Sequence, residues 1–253
     1  MKMKPNDYGI LDLRINYYMK SLFNKTIGII GGMGPQASSK LYDLLIKKAI
    51  GDFNVQKDED FPDIVLFSVA VPNFVNNNKN KIQALKILKR KIKQANRLNL
   101  LCLSIACNTA HVLVPEFKKI SNVPFISIID EVSNKVMLKK IKKVGLLASP
   151  MTIKTKLYEK ALNKRKIKII SPKKNQLNVL EKIIKKIILG TSSKNDQNNL
   201  KLIAISLKNR GAKGIILGCT ELPLIFPKKF KLPIFNSLEI LADCLLSYYF
   251  KHN

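Results

Sequence analysis

The chain has 253 residues and few of the side chains that bind metals or form disulfides. It contains two histidines, His111 and His252, and four cysteines without a CxxC spacing, so a histidine-rich metal site and a disulfide framework are both disfavoured. No segment approaches the ~18 consecutive apolar residues of a membrane span. The N-terminus lacks the apolar segment of a secretory signal. We therefore expect a cytoplasmic protein with reduced thiols, no metal and no membrane partner.

Arginine is scarce too, with five residues, although the total of 45 Lys+Arg against 17 Asp+Glu gives a net charge of +28. Such an excess usually suggests nucleic acid or an anionic surface as partner. Here it is lysine, accompanied by many Asn and Ile residues, which is the composition that an AT-rich coding sequence produces whatever the function. The lysines occupy solvent-facing helix positions without interleaved aromatic residues. The sequence predicts a solvated basic surface and no specific nucleic-acid partner, with nucleic-acid binding as the non-enzymatic alternative.

Short apolar segments alternate with helical patterns from Thr26 onward, and 46% of the residues are hydrophobic, enough for a large core. Strand-sized segments bounded by turns, with helices of ten or more residues between them, predict parallel, doubly wound sheets. Residues 1–24 are polar and aperiodic, and we interpret them as an N-terminal extension.

The two halves of the chain repeat one pattern. The segment IGIIGGMGP from Ile27 corresponds to VGLLASPMT from Val144, and LSIACNTA corresponds to GIILGCTE. We therefore predict an α/β protein of two pseudo-symmetric lobes with mainly parallel sheets. The first lobe comprises residues 25–123 plus 236–253 and the second residues 124–235. A strand at 124–129 is assigned to the second lobe.

Cys107 and Cys219 follow matching strands of the two halves. Ligands of open α/β sheets bind beyond the carboxyl ends of the strands, so facing lobes would place the two thiols on either side of one cleft. One thiol can then remove a proton from a small molecule while the other supplies one to the opposite face, which inverts the configuration. We expect the following helix starts to lower the pKa of both thiols. Cys102 and Cys244 are interpreted as core residues.

The motifs TIGIIGGMGP, ACNTAH and GCTELP, in this order and spacing, resemble the aspartate/glutamate racemase family from Thr26 to the C-terminus. The resemblance implies two Rossmann-like lobes with the active site between them and a reaction that needs no cofactor such as pyridoxal phosphate. It implies that Cys107 and Cys219 are the acid/base pair. It also implies that Asn108, Thr109 and Thr220 bind the α-carboxylate and amino group of an amino-acid substrate, and that Met33 lines the pocket. Aspartate or glutamate is the expected substrate, and a homodimer is possible.

Two positions depart from the aspartate-specific members of that family. Their arginine and lysine for the distal carboxylate align with Phe74 and about Ile188 in this chain. Lys185 or Lys186 could replace the lysine, but no arginine lies near Phe74. The motifs therefore indicate the reaction but do not identify the substrate.

Two neighbours of the cysteines allow alternative roles. His111 either supports Cys107 or is a structural histidine. Glu221 either orients a thiol or the substrate ammonium, or caps a helix, and we favour the cap.

Other reactions are also compatible with parts of the pattern. Gly32 to Ala37 fits a dinucleotide-binding fingerprint, but the second strand ends without the acidic residue that would bind ribose. Related isomerases and decarboxylases share the expected fold. Two cysteines in matching contexts favour racemisation over a dinucleotide-dependent reaction and over these isomerase and decarboxylase reactions.

Overall fold

The computed structural model describes residues 25–72, 74 and 78–252, so the predicted extension at residues 1–24 lies outside the described residues. Two four-stranded parallel sheets have the same strand order, β2-β1-β3-β4 and β6-β5-β7-β8. The strands are β1 (Thr26–Gly31), β2 (Ile64–Ser68), β3 (Leu100–Ile105), β4 (Phe125–Ile126), β5 (Lys143–Ala148), β6 (Lys168–Ile170), β7 (Ile215–Gly218) and β8 (Ile234–Asn236). The identical orders confirm the prediction of two pseudo-symmetric α/β lobes.

Helices cover both sheets, as the crossover connections of parallel strands require. They are α1 (Pro35–Phe53), α2 (Asn78–Ala95), α3 (Val114–Lys118), α4 (Ile128–Leu138), α5 (Pro150–Lys154), α6 (Leu157–Asn163), α7 (Lys174–Ile188), α8 (Lys194–Asn209) and α9 (Ser237–His252). Short 3-10 helices follow β3 at Thr109–Leu113 and β7 at Leu222–Leu224. Within the described ranges, no helix is both long and apolar enough to cross a membrane.

The last helix, α9, packs against α1 of the first lobe and against α4. Phe250 stacks on Phe53 with ring centroids 4.6 Å apart, and Lys48 pairs with Asp243 at 2.6 Å. One buried apolar cluster runs from α1 through α4 and α9 to Tyr158 of α6. This continuous core fixes the lobes relative to each other and so positions the cleft between them.

The strand expected in the second lobe after residue 124 belongs to the first sheet instead. Leu103 pairs with Phe125, and the Ser104 hydroxyl donates to the Ile126 carbonyl at 2.8 Å. The assignment was wrong because a two-residue strand is held by non-local pairing, which its own apolar pattern does not reveal. The repeat contains the missing signal, since VPFIS at 123–127 and LPIFN at 232–236 match, and each is the fourth strand of its sheet.

The sequence pattern predicts one helix over residues 151–163, but the structure divides this segment into α5 and α6. Lys156, between them, has a φ of 54° in the left-handed region. This conformation is uncommon for a residue with a Cβ atom, so the residue type gave no indication of the break.

Candidate active site

The turns that follow the two central strands of each sheet meet at one cleft, with a cavity volume of about 350 Å³. Cys107 enters it from the end of β3 and Cys219 from the end of β7, and both thiols line it. The cleft is also lined by all four predicted substrate-contacting residues: Met33, Asn108, Thr109 and Thr220. The six predicted site residues are therefore brought together, and their roles stay predictions.

The turn after β1 is shaped by Gly32, which has a φ of 91°. A Cβ atom there would collide with the Val69 backbone, so only glycine fits. The Gly32 N–H donates to the Ser38 hydroxyl at 2.9 Å, and the Gly34 N–H donates to Glu221 Oε1 at 3.0 Å. A dinucleotide fingerprint would present these N–H groups to a pyrophosphate. Both already have partners, one of them a carboxylate, so the geometry does not support dinucleotide binding.

Glu221 places a carboxylate next to the thiol of Cys219. Its Oε2 atom accepts hydrogen bonds from Cys219 Sγ at 2.9 Å and from the Thr220 hydroxyl at 3.1 Å, while its side chain is buried. Glu221 does precede a short 3-10 helix, but its side chain makes no capping hydrogen bond there. The favoured capping role was therefore wrong, and the carboxylate contacts the thiol instead.

Two hydrogen-bonded contacts cross the cleft at equivalent positions of the repeat. Thr109, two residues after Cys107, contacts the Ser149 hydroxyl at 2.9 Å in the turn after β5 and the Thr152 hydroxyl at 3.1 Å in the first turn of α5. Glu221, two residues after Cys219, accepts from Gly34 in the turn after β1. Each cysteine turn is thus bonded to the first turn of the opposite lobe.

Asn108 is buried beneath the cleft with both ends of its amide engaged. Its Nδ2 atom donates to the Ser237 hydroxyl at 3.1 Å, and its Oδ1 atom accepts from the Tyr158 hydroxyl at 2.6 Å. The amide retains one N–H for a substrate. Tyr158 and Ser237 were not predicted, because they lie far from the motifs in sequence and reach the site only through the fold.

Burial dominates the protonation of both thiols. The pKa of Cys107 is raised to about 12, first by burial and then by the Glu221 carboxylate, against a smaller opposite effect of the Ala110 and Thr109 backbone N–H groups. Burial, followed by the charge of Glu221, raises the pKa of Cys219 well above its ordinary value. The expected lowering was wrong because burial of the thiols outweighs the backbone N–H groups of the short 3-10 turns that follow the cysteines.

His111 has a structural role. Its Nε2 atom accepts the Ile128 N–H at 3.0 Å, so Nδ1 carries the proton and donates to the Cys107 carbonyl at 2.8 Å. Burial lowers the pKa of this imidazole to about 4. A neutral imidazole therefore holds the backbone of Cys107 against the start of α4.

The cleft is also lined by Phe74, Ile188 and Lys185, but not by Lys186. Lys186 points elsewhere and binds the buried Asp196 at 2.9 Å. Lys185 pairs with Glu181, which also lines the cleft, at 2.9 Å. Of the two lysines considered from the sequence, only Lys185 lines the site, and it already has a carboxylate partner.

Comparison with known proteins agrees with this geometry. The model of the family described as Asp/Glu/Hydantoin racemase matches residues 30–245, so the chain belongs to that family of isomerases. It is 23% identical over 227 residues to the broad specificity amino-acid racemase RacX of Bacillus subtilis, covering 88% of this chain and 97% of that protein.

Two solved structures share the fold over nearly the whole chain. An aspartate racemase homologue from Pyrococcus horikoshii is 28% identical with a TM-score of 0.75, covering 89% of this chain and 99% of that one. The aspartate racemase of Picrophilus torridus is 25% identical with a TM-score of 0.76, covering 89% and 94%. The resemblance inferred from the motifs is confirmed.

Proposed function

We propose that this protein racemises an amino acid by removing the α-proton with one thiolate and returning a proton from the other thiol. The observation that carries the proposal is the pair of cysteines, one from each pseudo-equivalent strand end, lining one cleft. An α-carbon held between them would be reached from opposite faces. The family membership and the similarity to RacX support an amino acid as substrate.

The proton balance of this mechanism needs one thiolate and one thiol at a time. The first sulfur takes the α-proton as the Cα–H bond breaks, and the electron pair moves toward the α-carboxylate. The second S–H then protonates the opposite face, which leaves the second sulfur as thiolate. The cleft-lining Thr109 and Thr220 hydroxyls, the free Asn108 N–H and the turn backbone are suited to bind the carboxylate and stabilise the developing charge.

Glu221 offers a route to the required thiolate although burial disfavours it. Its Oε2 atom is already hydrogen-bonded to Cys219 Sγ at 2.9 Å. The carboxylate can take that proton when the ammonium group of the substrate enters, because the cation offsets the negative charge that then remains on sulfur. Glu221 is therefore proposed as a positioning residue that acts through Cys219.

Deuterium exchange tests the proposal. L- and D-amino acids are incubated with the reduced protein in D₂O, and α-proton loss by NMR is compared with inversion measured by chiral chromatography. The wild type should exchange and invert both enantiomers. Cys107→Ser and Cys219→Ser should each lose inversion by about 10²-fold or more, while each retains some exchange of the single enantiomer that faces the remaining thiol.

Cys244→Ser is the matched control, because it removes a thiol from α9 outside the cleft and should leave inversion unchanged. Glu221→Gln should lower kcat more than it raises KM and should alter the pH profile. Unimpaired inversion in either cleft-cysteine variant would refute the two-thiol mechanism. We also propose a cytoplasmic location, where thiols stay reduced.

A further inference from the structure

We infer that the cleft selects amino acids whose side chain is uncharged and largely apolar. This inference rests on the proposed racemase function and adds its substrate class. It follows from two sets of lining residues: the polar residues beside the cysteines, which we call the floor, and a group of apolar side chains, which we call the wall. That wall is formed by Met33, Val71, Pro72, Phe74, Ile184 and Ile188.

Ile188 brings this wall close to the reacting thiols. A Cβ atom placed at Gly34 would lie 3.7 Å from Ile188 Cγ1 and 3.3 Å from Glu221 Oε1. The same Glu221 carboxylate contacts Cys219 Sγ through its other oxygen. A substrate whose α-carbon lies near that thiol therefore has the Ile188 side chain within reach of its own side chain.

Part of the wall is exposed to water. Ile188 is 42% exposed, whereas Phe74 is 7% exposed and packed into the core of the first lobe. An apolar side chain placed against Ile188 would remove that surface from water, which favours binding. A carboxylate in the same place would lose hydration and gain no partner from these side chains.

The charges around the cleft also disfavour a second substrate carboxylate. Lys185 is the cation among the described lining residues, and it is paired with Glu181. Glu221 adds a further carboxylate near the thiols. The α-carboxylate can be bound by the N–H and hydroxyl donors of the floor, but a distal carboxylate would have to share the Lys185 ammonium with the Glu181 carboxylate.

Three substrates with the same branching separate charge from shape: leucine, asparagine and aspartate. Deuterium exchange and inversion are measured for each, with lysine added as a cationic side chain. The kcat/KM for leucine should exceed that for aspartate by about tenfold or more, as expected for apolar groups in an apolar pocket, with asparagine between them. Aspartate or lysine as the best substrate would overturn the inference.

Substitutions one residue apart test the position of the selecting surface. Ile188→Lys places a cation on the wall and should raise the aspartate-to-leucine ratio of kcat/KM about tenfold or more. Leu189→Lys adds the same charge to a side chain that is 73% exposed and does not line the cleft, and it should leave the ratio within about twofold. Circular dichroism confirms that both variants fold.

The two levels of the proposal fail differently. If no amino acid exchanges its α-proton, the racemase proposal fails and the substrate inference with it. If aspartate is the best substrate and Lys185→Met selectively removes that activity, only the inference fails, and Lys185 is then the distal ligand. Equal effects of Ile188→Lys and Leu189→Lys on the ratio would also overturn it.

Discussion

Burial determines the protonation of His111 beneath the cleft. His111 has both ring nitrogens bonded to the backbone and has 4% of its surface exposed. Protonation would place a charge there and would turn the acceptor of the Ile128 N–H into a donor. The folded state therefore binds a proton at this site less readily than the unfolded chain.

The first prediction is that acid destabilises the protein through His111. Its pKa is lowered from 6.5 to about 4, so the unfolded state takes up the proton first as the pH falls. The stabilisation from neutral His111 should be complete above pH 6.5 and should be lost as the pH falls toward 4, with a slope of up to about 1.4 kcal/mol per pH unit. Urea unfolding across this range measures it.

The chain has one other histidine, His252, so His252→Asn assigns the NMR signals without ambiguity. The imidazole signal that remains in this variant should titrate near pH 4. A midpoint near 6.5 would contradict the structural role of His111.

Residue types and motif positions predicted which side chains would line one cleft, but not which atoms those side chains would contact. Cys107, Cys219 and Thr109 could be placed in one cleft because strand ends of parallel sheets converge. The contact between Glu221 and Cys219 depends on the rotamer of a buried carboxylate, and a short motif carries no information about that. The pKa of the two cleft cysteines was expected to be lowered and is raised instead, because burial is a property of the whole fold that a short motif does not reveal.

Among the helices, the C-terminal end of α4 has a backbone conformation that its residue type does not predict. The position after the C-terminal cap of a helix commonly has a positive φ and favours glycine. In α4 that position is Lys140, with a φ of 54°. A side chain with a Cβ atom strains the backbone there, and among the described residues the Lys140 side chain has no hydrogen-bond or ion-pair partner that would require lysine.

The second prediction is that Lys140→Gly stabilises the protein. Glycine adopts the left-handed conformation without strain, so the free energy of unfolding should rise by about 0.5 to 1 kcal/mol. Lys135→Gly is the control, because it removes one exposed lysine from the last turn of the same helix, at a position with helical φ, and should lower the stability by about 0.5 to 1 kcal/mol. Chemical denaturation of both variants separates the backbone effect from the loss of charge.

For the molecule as a whole, the net positive charge and the chemistry of the cleft can be explained independently of each other. The net charge of +28 is spread over a chain whose motifs and cleft are explained without it. A lysine-rich surface attracts polyanions through counterion release, which depends steeply on salt and weakly on sequence.

The third prediction follows from that separation. Fluorescence anisotropy should detect binding to duplex DNA and to RNA at about 50 mM salt, and the affinity should fall by about 10³-fold or more at 200 mM. Different base sequences should give the same affinity at each salt concentration. Tight, sequence-dependent binding at about 150 mM salt would instead support the nucleic-acid alternative.

The repeat also determined how far the whole architecture could be predicted. Two matching motif pairs were enough to predict two lobes of the same topology. The fourth strand of the first sheet escaped because pairing between Leu103 and Phe125 is non-local, although the matching VPFIS and LPIFN segments contained the signal. Internal comparison of the halves predicts more of this fold than local hydrophobic pattern does.

The two halves of the cleft are similar but not identical, because Glu221 occupies the position equivalent to Thr109. The Glu221 side chain contacts its own cysteine thiol, whereas the Thr109 side chain contacts hydroxyls of the opposite lobe. Enantiomers have equal free energies in water, so the equilibrium constant of a racemisation is unity however asymmetric the enzyme is. The Haldane relationship then requires equal kcat/KM for the L- and D-forms. The difference between Glu221 and Thr109 can therefore distinguish the two enantiomers only by changing kcat and KM in the same proportion, so the enantiomer that turns over faster must also have the higher KM.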